Sequence, residues 1–285
     1  MSNYHLRFVE SLTGHDLEML AALEQAPSSS DELRSHLARE PETIETLLAD
    51  PSLYEAIYET PETGMIAGLS PLLAFAVLVH RTMRDLRAAT YVPEWIGAGE
   101  RLPVFDAASM REFIDAADRR YLIADFLGSF TTVSSGSMWV RTERGYRKRR
   151  FSELDPVALA EMVGSLPVAQ RSGGYRRLGE VSLFLTGVFP DHTARHPLSP
   201  MHQARLARLS GVEIEEAGDL DYVHFLERVG RSWYDRAATD PLLPTGIREV
   251  LSDMATNFTQ ARRFLNYLTD RYLHRVETGL MNPVG

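Results

Sequence analysis

The residues with the most distinctive chemistry form a basic run at positions 141–150, where six of ten side chains are arginine or lysine and one is acidic. The chain as a whole is acidic, with 39 Asp and Glu against 30 Lys and Arg and a net charge of −9. Basic side chains bind phosphate oxygens, and aromatic rings stack on bases. Candidates for contact with an anion or a nucleic acid are therefore Trp139, Arg141, Arg144, Tyr146, Arg147, Lys148, Arg149 and Arg150.

The sequence around this run predicts a β-hairpin at about residues 136–151, because aromatic and β-branched residues flank a turn-rich centre. The hairpin could act as the wing of a nucleic-acid-binding protein, and such binding would weaken steeply with salt. The alternative is a solvated arm, or an arm whose arginines pair with acidic groups of the same chain or of a second subunit. Alternation along a strand divides the basic residues between two faces. The sequence favours this alternative.

A second group of candidates lies in the segment PDHTARHPLSPMH, which contains Asp191, His192, His196 and His202. His192 and His196 are four residues apart, a spacing that places two imidazole rings on one helical face, and imidazole is a common ligand of zinc, iron and manganese. Pro197 opposes this arrangement, because the residue before a proline avoids helical dihedral angles. The four residues are a candidate metal site, but a polar loop with exposed histidines is the favoured interpretation.

Polar residues also interrupt two very apolar predicted helices. His80, Arg81 and Arg84 follow the run LLAFAVLV, and Glu180 lies within LGEVSLF. If these helices meet, the four residues could line a ligand pocket in which Glu180 acts as a base or counter-ion. The alternative is an ion pair between Arg176 and Glu180, which are four residues apart. The sequence favours the ion pair.

Composition excludes several classes of chemistry. The chain has no cysteine, which rules out thiol nucleophiles, disulfide bonds and cysteine-ligated metal centres. Lys148 is the only lysine, so Schiff-base chemistry or a P-loop would have to use that residue. The glycine-rich and HExxH motifs of nucleotide-dependent, dinucleotide-dependent and zinc-dependent enzymes are missing. The sequence predicts no cofactor and favours a protein without enzymatic activity.

The elements that must position these residues are mainly helical. Ser29 with Glu32 has the spacing of a capping box, and a proline follows a capping residue at Ser70 and Asp155. Apolar residues at three- and four-residue spacing predict one continuous helix over residues 245–276. We expect a mainly α fold, either a multi-helix bundle or an orthogonal helical array, with one basic β-hairpin.

Two domains of unequal size are predicted, an N-terminal helical segment over residues 1–63 and a main helical domain over residues 64–285 that carries the hairpin. Segment 91–106 contains several prolines and glycines and is interpreted as a surface connection. In the main domain, Gly179 and Gly187 are expected to let neighbouring helices approach closely.

The most apolar segment, residues 64–79, is shorter than a bilayer span and is interrupted by Ser70 and Pro71. It therefore predicts a buried helix rather than a membrane span. The N-terminus lacks the basic start and apolar run of a secretory signal. Together with the absence of cysteine, these features favour a cytoplasmic protein.

The segment YRRLGEVSLFLTGVFPDH, with the later FLNYLTDRYL, resembles a group of uncharacterised helical bacterial proteins that share an L-G-x-x-x-L-F-x-x-G-x-F-P run. The resemblance covers roughly the C-terminal half of the chain. It implies an intracellular bacterial protein, and it implies no activity because none is assigned to that group.

Three hypotheses about function follow from these observations. The first is a non-enzymatic adaptor or regulator that contacts a protein partner, or a second copy of itself, through its helices and hairpin. The second is a nucleic-acid-binding regulator that uses the hairpin as a wing. The third is a small-ligand-binding protein or enzyme with a pocket between the central helices. The extent of amphipathic helix and the lack of a catalytic constellation favour the first.

Overall fold

The computed structural model describes residues 3–24, 29–59, 68–132, 135–142, 145–213 and 221–273. The fold is mainly α, as predicted. The chain divides into two compact units, of which the first comprises Met1–Val92, Pro103–Thr131 and Asp270–Gly285. The second comprises Pro93–Leu102 and Thr132–Thr269. The domain boundary predicted between residues 63 and 64 lies outside the described residues.

The first unit contains helices whose starts follow the predicted capping chemistry. The Ser29 side chain accepts a hydrogen bond from the backbone N–H of Glu32, and the Glu32 carboxylate accepts one from the N–H of Ser29. Ser70 caps the next long helix, with Pro71 at its first position. The helices are α1 (Asn3–Ser11), α2 (Gly14–Glu24), α3 (Ser30–Arg39), α4 (Pro41–Ala49), α5 (Pro51–Tyr54), α6 (Pro71–Ala88), α7 (Ala107–Asp115) and α8 (Ala117–Ser129). A π-helical turn, Glu55–Glu59, extends α5.

The core of the first unit forms where α6 packs against α8. Helix α6 is buried on nearly every side from Leu73 to His80, as its continuous apolar run predicts. In α8, Tyr121, Leu122 and Ile123 are at most 1% exposed. A charged group on the buried part of these two helices must therefore find a partner inside the protein.

The second unit contains two two-stranded sheets and seven further α-helices among its described residues. The strands are β1 (Val92–Gly97), β2 (Glu100–Val104), β3 (Ser135–Thr142) and β4 (Gly145–Ser152), with Val92, Pro103 and Val104 counted in the first unit. The helices are α9 (Pro156–Ser165), α10 (Arg171–Gly187), α11 (Pro190–Arg195), α12 (Pro200–Ser210), α13 (Tyr222–Ala238), α14 (Thr245–Thr256) and α15 (Phe258–Leu268). A π-helical turn, Thr269–Leu273, follows α15 along the chain, and its residues from Asp270 onward are counted in the first unit.

Close helix packing around α10 confirms the role predicted for its glycines. A Cβ atom at Gly179 would lie 2.9 Å from the ring of Tyr234 on α13, and one at Gly187 would lie 2.8 Å from the side chain of Leu265 on α15. Both distances are shorter than a carbon contact allows. Only glycine at these positions permits the neighbouring side chains to lie directly on the α10 backbone.

The interpretation of segment 91–106 as a surface connection is wrong, because this segment forms the ribbon of β1 and β2. Its glycines and prolines suit a ribbon for a local reason. Gly99 has a φ of +83°, which the tight turn requires, and proline is tolerated in strands that have an unpaired edge.

The continuous helix predicted over residues 245–276 is divided at Asn257. The side-chain amide of Asn257 donates to the backbone carbonyl and to the carboxylate of Asp253. The backbone N–H of Asn257 also donates to the Asp253 carbonyl, but its φ of −102° and ψ of 24° leave the helical region, so the apolar stripe continues while the helix is interrupted. Across the described residues, none of the helices combines the length and apolar character needed to cross a bilayer.

Candidate functional site

The basic hairpin forms as predicted, as the ribbon of β3 and β4. The strands are antiparallel, and their register pairs Arg141 with Tyr146, Val140 with Arg147 and Trp139 with Lys148. Arg144 lies outside the described residues, as do the side chains of the other basic and aromatic candidates. The backbone register therefore shows which of these positions share a face of the ribbon.

Register distributes the candidate residues unequally between the two faces of this ribbon. Directly paired positions share a face, and faces alternate along each strand. Positions 139, 141, 146, 148 and 150 share one face, which thus includes both aromatic candidates and three basic ones. Arg147 and Arg149 occupy positions on the other face, with Val140 and Met138. As expected, alternation divides the basic residues between the two faces. Both aromatic residues lie on the face that has the larger number of basic residues.

His80 lies in the first unit and belongs to a buried cluster of charges on α4, α6 and α8. Its Nδ1 lies 2.8 Å from the carbonyl oxygen of Ala76, and its Nε2 lies 3.1 Å from Oε2 of Glu45. Each ring nitrogen of His80 therefore faces an oxygen acceptor inside the protein. Arg120 donates to the same Glu45 oxygen at 2.5 Å. We call Glu45, His80 and Arg120 the Glu45 cluster.

The Glu45 cluster is held in place by helix ends as well as by charge. Arg120 donates to the backbone carbonyls of Ile114 and Asp115, at 2.6 and 2.7 Å, and so satisfies the exposed acceptors at the end of α7. Burial by itself would raise the pKa of Glu45, but hydrogen bonding and charge from His80, with the charge of Arg120, lower that pKa from 4.5 to about 2. Each side chain of the cluster thus has a hydrogen-bonding partner within the protein.

Two of the other three candidates of the predicted pocket, Arg81 and Glu180, also have partners of their own. Arg81 lies over the ring of Tyr54, 4.7 Å from its centroid, and forms an ion pair with Asp85. Arg84 is exposed. Glu180 belongs to the second unit, and Arg176 donates to it at 2.6 Å. The ion pair between Arg176 and Glu180 that the sequence favoured is therefore present.

The four candidate metal ligands are not gathered into one site. Across the described part of the chain, no three or more His, Asp or Glu side chains are grouped so that they could hold a metal. His202 is exposed on α12, and Asp191 is directed toward the ribbon of β1 and β2. His192 and His196 do adjoin, with ring centroids 4.3 Å apart.

Asp191 fastens the ribbon of β1 and β2 to α11. Its Oδ1 accepts hydrogen bonds from the indole N–H of Trp95 and the backbone N–H of Gly99, both at 2.8 Å. Arg101 donates to both carboxylate oxygens, at 3.3 and 3.2 Å. Burial by itself would raise the pKa of Asp191, but these donors and the charge of Arg101 lower it to about 2. The Asp191 carboxylate therefore contacts β1, the turn at Gly99 and β2.

Glu94 fastens the same ribbon to α15 through a second buried cluster. Arg262, which is 2% exposed, donates to Glu94 at 3.1 Å and to Glu227 of α13 at 2.8 Å. Arg263 also donates to Glu94, and Arg231 donates to Glu227 at 2.9 Å. We call these five residues the Glu227 cluster. They join β1, α13 and α15 through ion pairs between three arginines and two glutamates.

The ribbon held by these contacts presents apolar side chains to solvent. Ile96 is 45% exposed and Leu102 is 52% exposed, although Trp95 beside them is buried. Tyr91 and Phe105, which flank the ribbon in the sequence, are also exposed. Of the seven large apolar side chains that are exposed among the described residues, these four fall within residues 91–105. Isolated exposed apolar residues are ordinary, so it is the concentration of four of them in one short segment that distinguishes this stretch.

Sequence reasoning missed the residues that hold and form this surface. Trp95 between Pro93 and Gly97 was the available signal, since a tryptophan in an otherwise exposed connection needs a hydrogen-bond partner for its N–H. In comparisons with family models, curated proteins and solved structures, nothing matches this chain. Interpretation therefore depends on the geometry.

Proposed function

We propose that this protein acts through contact with another protein, as an adaptor or regulator, and that the ribbon of β1 and β2 makes the contact. The observation that supports the proposal is the exposure of Ile96 and Leu102 on a ribbon that Asp191 and Glu94 hold in place. A contact surface on a fixed backbone loses little conformational entropy when it binds, so more of the apolar burial contributes to affinity.

The partner that suits this surface is an apolar patch on a different protein. Pro93 and Pro103 remove backbone donors from the two strands, which opposes addition of a further strand and leaves side-chain contact as the binding mode. The net charge of −9 makes identical copies repel one another, which opposes self-association.

The experiment replaces both exposed residues, Ile96→Glu with Leu102→Glu, and uses Met201→Glu as the control. Met201 is 73% exposed on α12, away from the ribbon in sequence. Chemical cross-linking in the host, read by mass spectrometry, identifies a partner of the wild-type chain, and its affinity is then measured with both proteins purified. We expect at least a tenfold loss of affinity in the double variant and less than a twofold change in the control.

Two results would contradict the proposal. One is a purified wild-type chain that binds no cross-linked candidate. The other is a partner that binds the double variant as tightly as the wild type.

A second candidate function, binding of single-stranded nucleic acid, is supported by the register of β3 and β4. The face with Trp139 and Tyr146 also has Arg141, Lys148 and Arg150, which is the combination of stacking and phosphate-binding residues that single strands require. A double helix would be a poorer ligand, because its bases are not accessible for stacking.

Matched pairs of substitutions test this candidate. Arg141→Ala with Arg150→Ala removes two charges from the aromatic face, and Arg147→Ala with Arg149→Ala removes two from the other face. Fluorescence anisotropy with a labelled single-stranded oligonucleotide should show at least a tenfold weaker affinity for the first pair and a much smaller change for the second. Equal losses would indicate unspecific charge attraction, and no binding at low salt would remove the candidate.

A further inference from the structure

The aromatic face of the ribbon of β3 and β4 contains three successive cross-strand pairs. Counted from the turn, the register pairs Arg141 with Tyr146, Trp139 with Lys148 and Ser137 with Arg150. Each pair includes one basic residue, and each of the first two also includes one aromatic residue. The aromatic face therefore repeats a combination of ring and charge along the axis of the ribbon.

The spacing of the two aromatic positions suits a nucleic-acid strand whose bases are not stacked on one another. Trp139 and Tyr146 belong to adjacent pairs and to different strands, a diagonal relation that separates two residues by about 7–8 Å. Stacked nucleotides follow one another about every 3.4 Å along a strand. Whether one base lies between the two rings or one base lies on each ring, its contacts with neighbouring bases are lost.

The three pairs also limit how much of a strand the aromatic face contacts. Paired β-strands lie about 4.8 Å apart, so a ligand that crossed the ribbon would meet one pair, whereas a ligand along the axis meets all three. Each basic residue neutralises one phosphate. The footprint on this face is therefore about three nucleotides.

We propose that the aromatic face binds an unstacked stretch of about three nucleotides and prefers pyrimidine runs to adenine runs. This inference rests on the second candidate function, the binding of single-stranded nucleic acid, and adds a footprint and a base preference to it. Thymine bases stack weakly on one another and are separated at little cost, whereas an adenine run must first lose its own stacking. The preference therefore arises from the free ligand and its stacking.

Competition measured by fluorescence anisotropy tests the footprint and the base preference. Unlabelled oligo-dT and oligo-dA, from about two to twelve nucleotides long, displace a labelled single strand from the purified chain at low salt. We expect affinity to rise steeply up to about three nucleotides and only slightly beyond that length. Oligo-dT should bind at least about threefold more tightly than oligo-dA of the same length.

The dependence of affinity on salt counts the basic residues that contact the strand. Three contacts predict a slope of about −2 for log K against log salt, whereas all six basic residues of the run 141–150 would give about −4. Lys148→Ala should make the slope shallower by about 0.7. Arg147→Ala, a substitution on the opposite face, is the matched control and should leave the slope unchanged.

The possible outcomes distinguish this inference from the candidate function on which it rests. A slope near −4, or oligo-dA bound as tightly as oligo-dT, overturns the inference while single-strand binding itself stands. No binding of either oligonucleotide at low salt removes the candidate function as well. Length dependence, base preference and slope are all measured on the wild-type chain, so these outcomes do not require any variant to fold.

Discussion

The two units each bury a glutamate, but they neutralise it with different partners. In the Glu45 cluster a carboxylate with 23% exposure meets one arginine and one imidazole ring. In the Glu227 cluster a carboxylate with 8% exposure meets two arginines, of which Arg262 is itself buried. Thr259 also donates to Glu227. The Glu45 carboxylate is thus the more exposed of the two, and the Glu227 cluster is larger and extends to the ribbon through Glu94.

This difference shows how the same residue type can have a local role in one unit and a connecting role in the other. Arg120 uses its remaining donors to satisfy the end of α7. Arg262 uses its remaining donors on Glu94, so the charge that stabilises α13 against α15 also positions β1. Loss of the second cluster should therefore affect both stability and the proposed contact surface.

The largest expected effect is that of Glu227→Gln. The substitution leaves Arg262 and Arg231 without their shared carboxylate, and we expect a loss of about 3 kcal/mol in the free energy of unfolding, because a buried cation then lacks part of its compensation. Urea denaturation followed by circular dichroism measures the loss, and hydrogen exchange locates it in the second unit. A loss below about 1 kcal/mol would show that Glu94 alone compensates Arg262.

Glu45→Gln should cost less, about 2 kcal/mol, because Glu45 is more exposed and part of its charge is screened. Glu213→Gln is the matched control, since Glu213 is exposed, and its effect should be below about 0.5 kcal/mol. If Glu45→Gln cost as much as Glu227→Gln, exposure would not explain the difference between the two clusters.

The dependence of stability on acid should distinguish the Glu45 cluster further. The pKa of Glu45 is lowered from 4.5 to about 2 in the folded chain, so folding favours the charged carboxylate. Its contribution is complete above pH 4.5 and is lost as the pH falls toward 2. The difference in unfolding free energy between the wild type and Glu45→Gln should therefore shrink over this range. A difference that stays constant to pH 2 would contradict the assignment.

The smallest expected effect is that of Asp191→Asn, which acts on the ribbon alone. The variant keeps one acceptor for Trp95 and Gly99 but loses the charge that attracts Arg101. Amide exchange over residues 93–102 should be about tenfold faster, with little change in global stability, because charge-assisted hydrogen bonds are the stronger ones. Asp31→Asn, an exposed position in α3, is the control. Unchanged exchange would mean that Glu94 suffices to hold the ribbon.

Much of the local structure could be predicted from the sequence. The capping box at Ser29, the start of α6 at Ser70 and the hairpin at residues 135–152 all depend on neighbouring residues, and each formed as expected. The failures also have local causes, such as the non-helical backbone conformation of Asn257. The ribbon of β1 and β2 was missed because its prolines and glycines are equally typical of a loop.

Local sequence pattern predicted much less about the candidate sites than about the helices and strands. The sequence showed which charged residues lie in apolar helices, but only the tertiary structure decided which of them meet. Glu45 finds Arg120 across 75 residues, and Glu94 finds Arg262 across 168. Helix formation follows from interactions within a few residues, so sequence determined it. Pairing of buried charges is determined by desolvation and packing, which exist only once the helices have assembled.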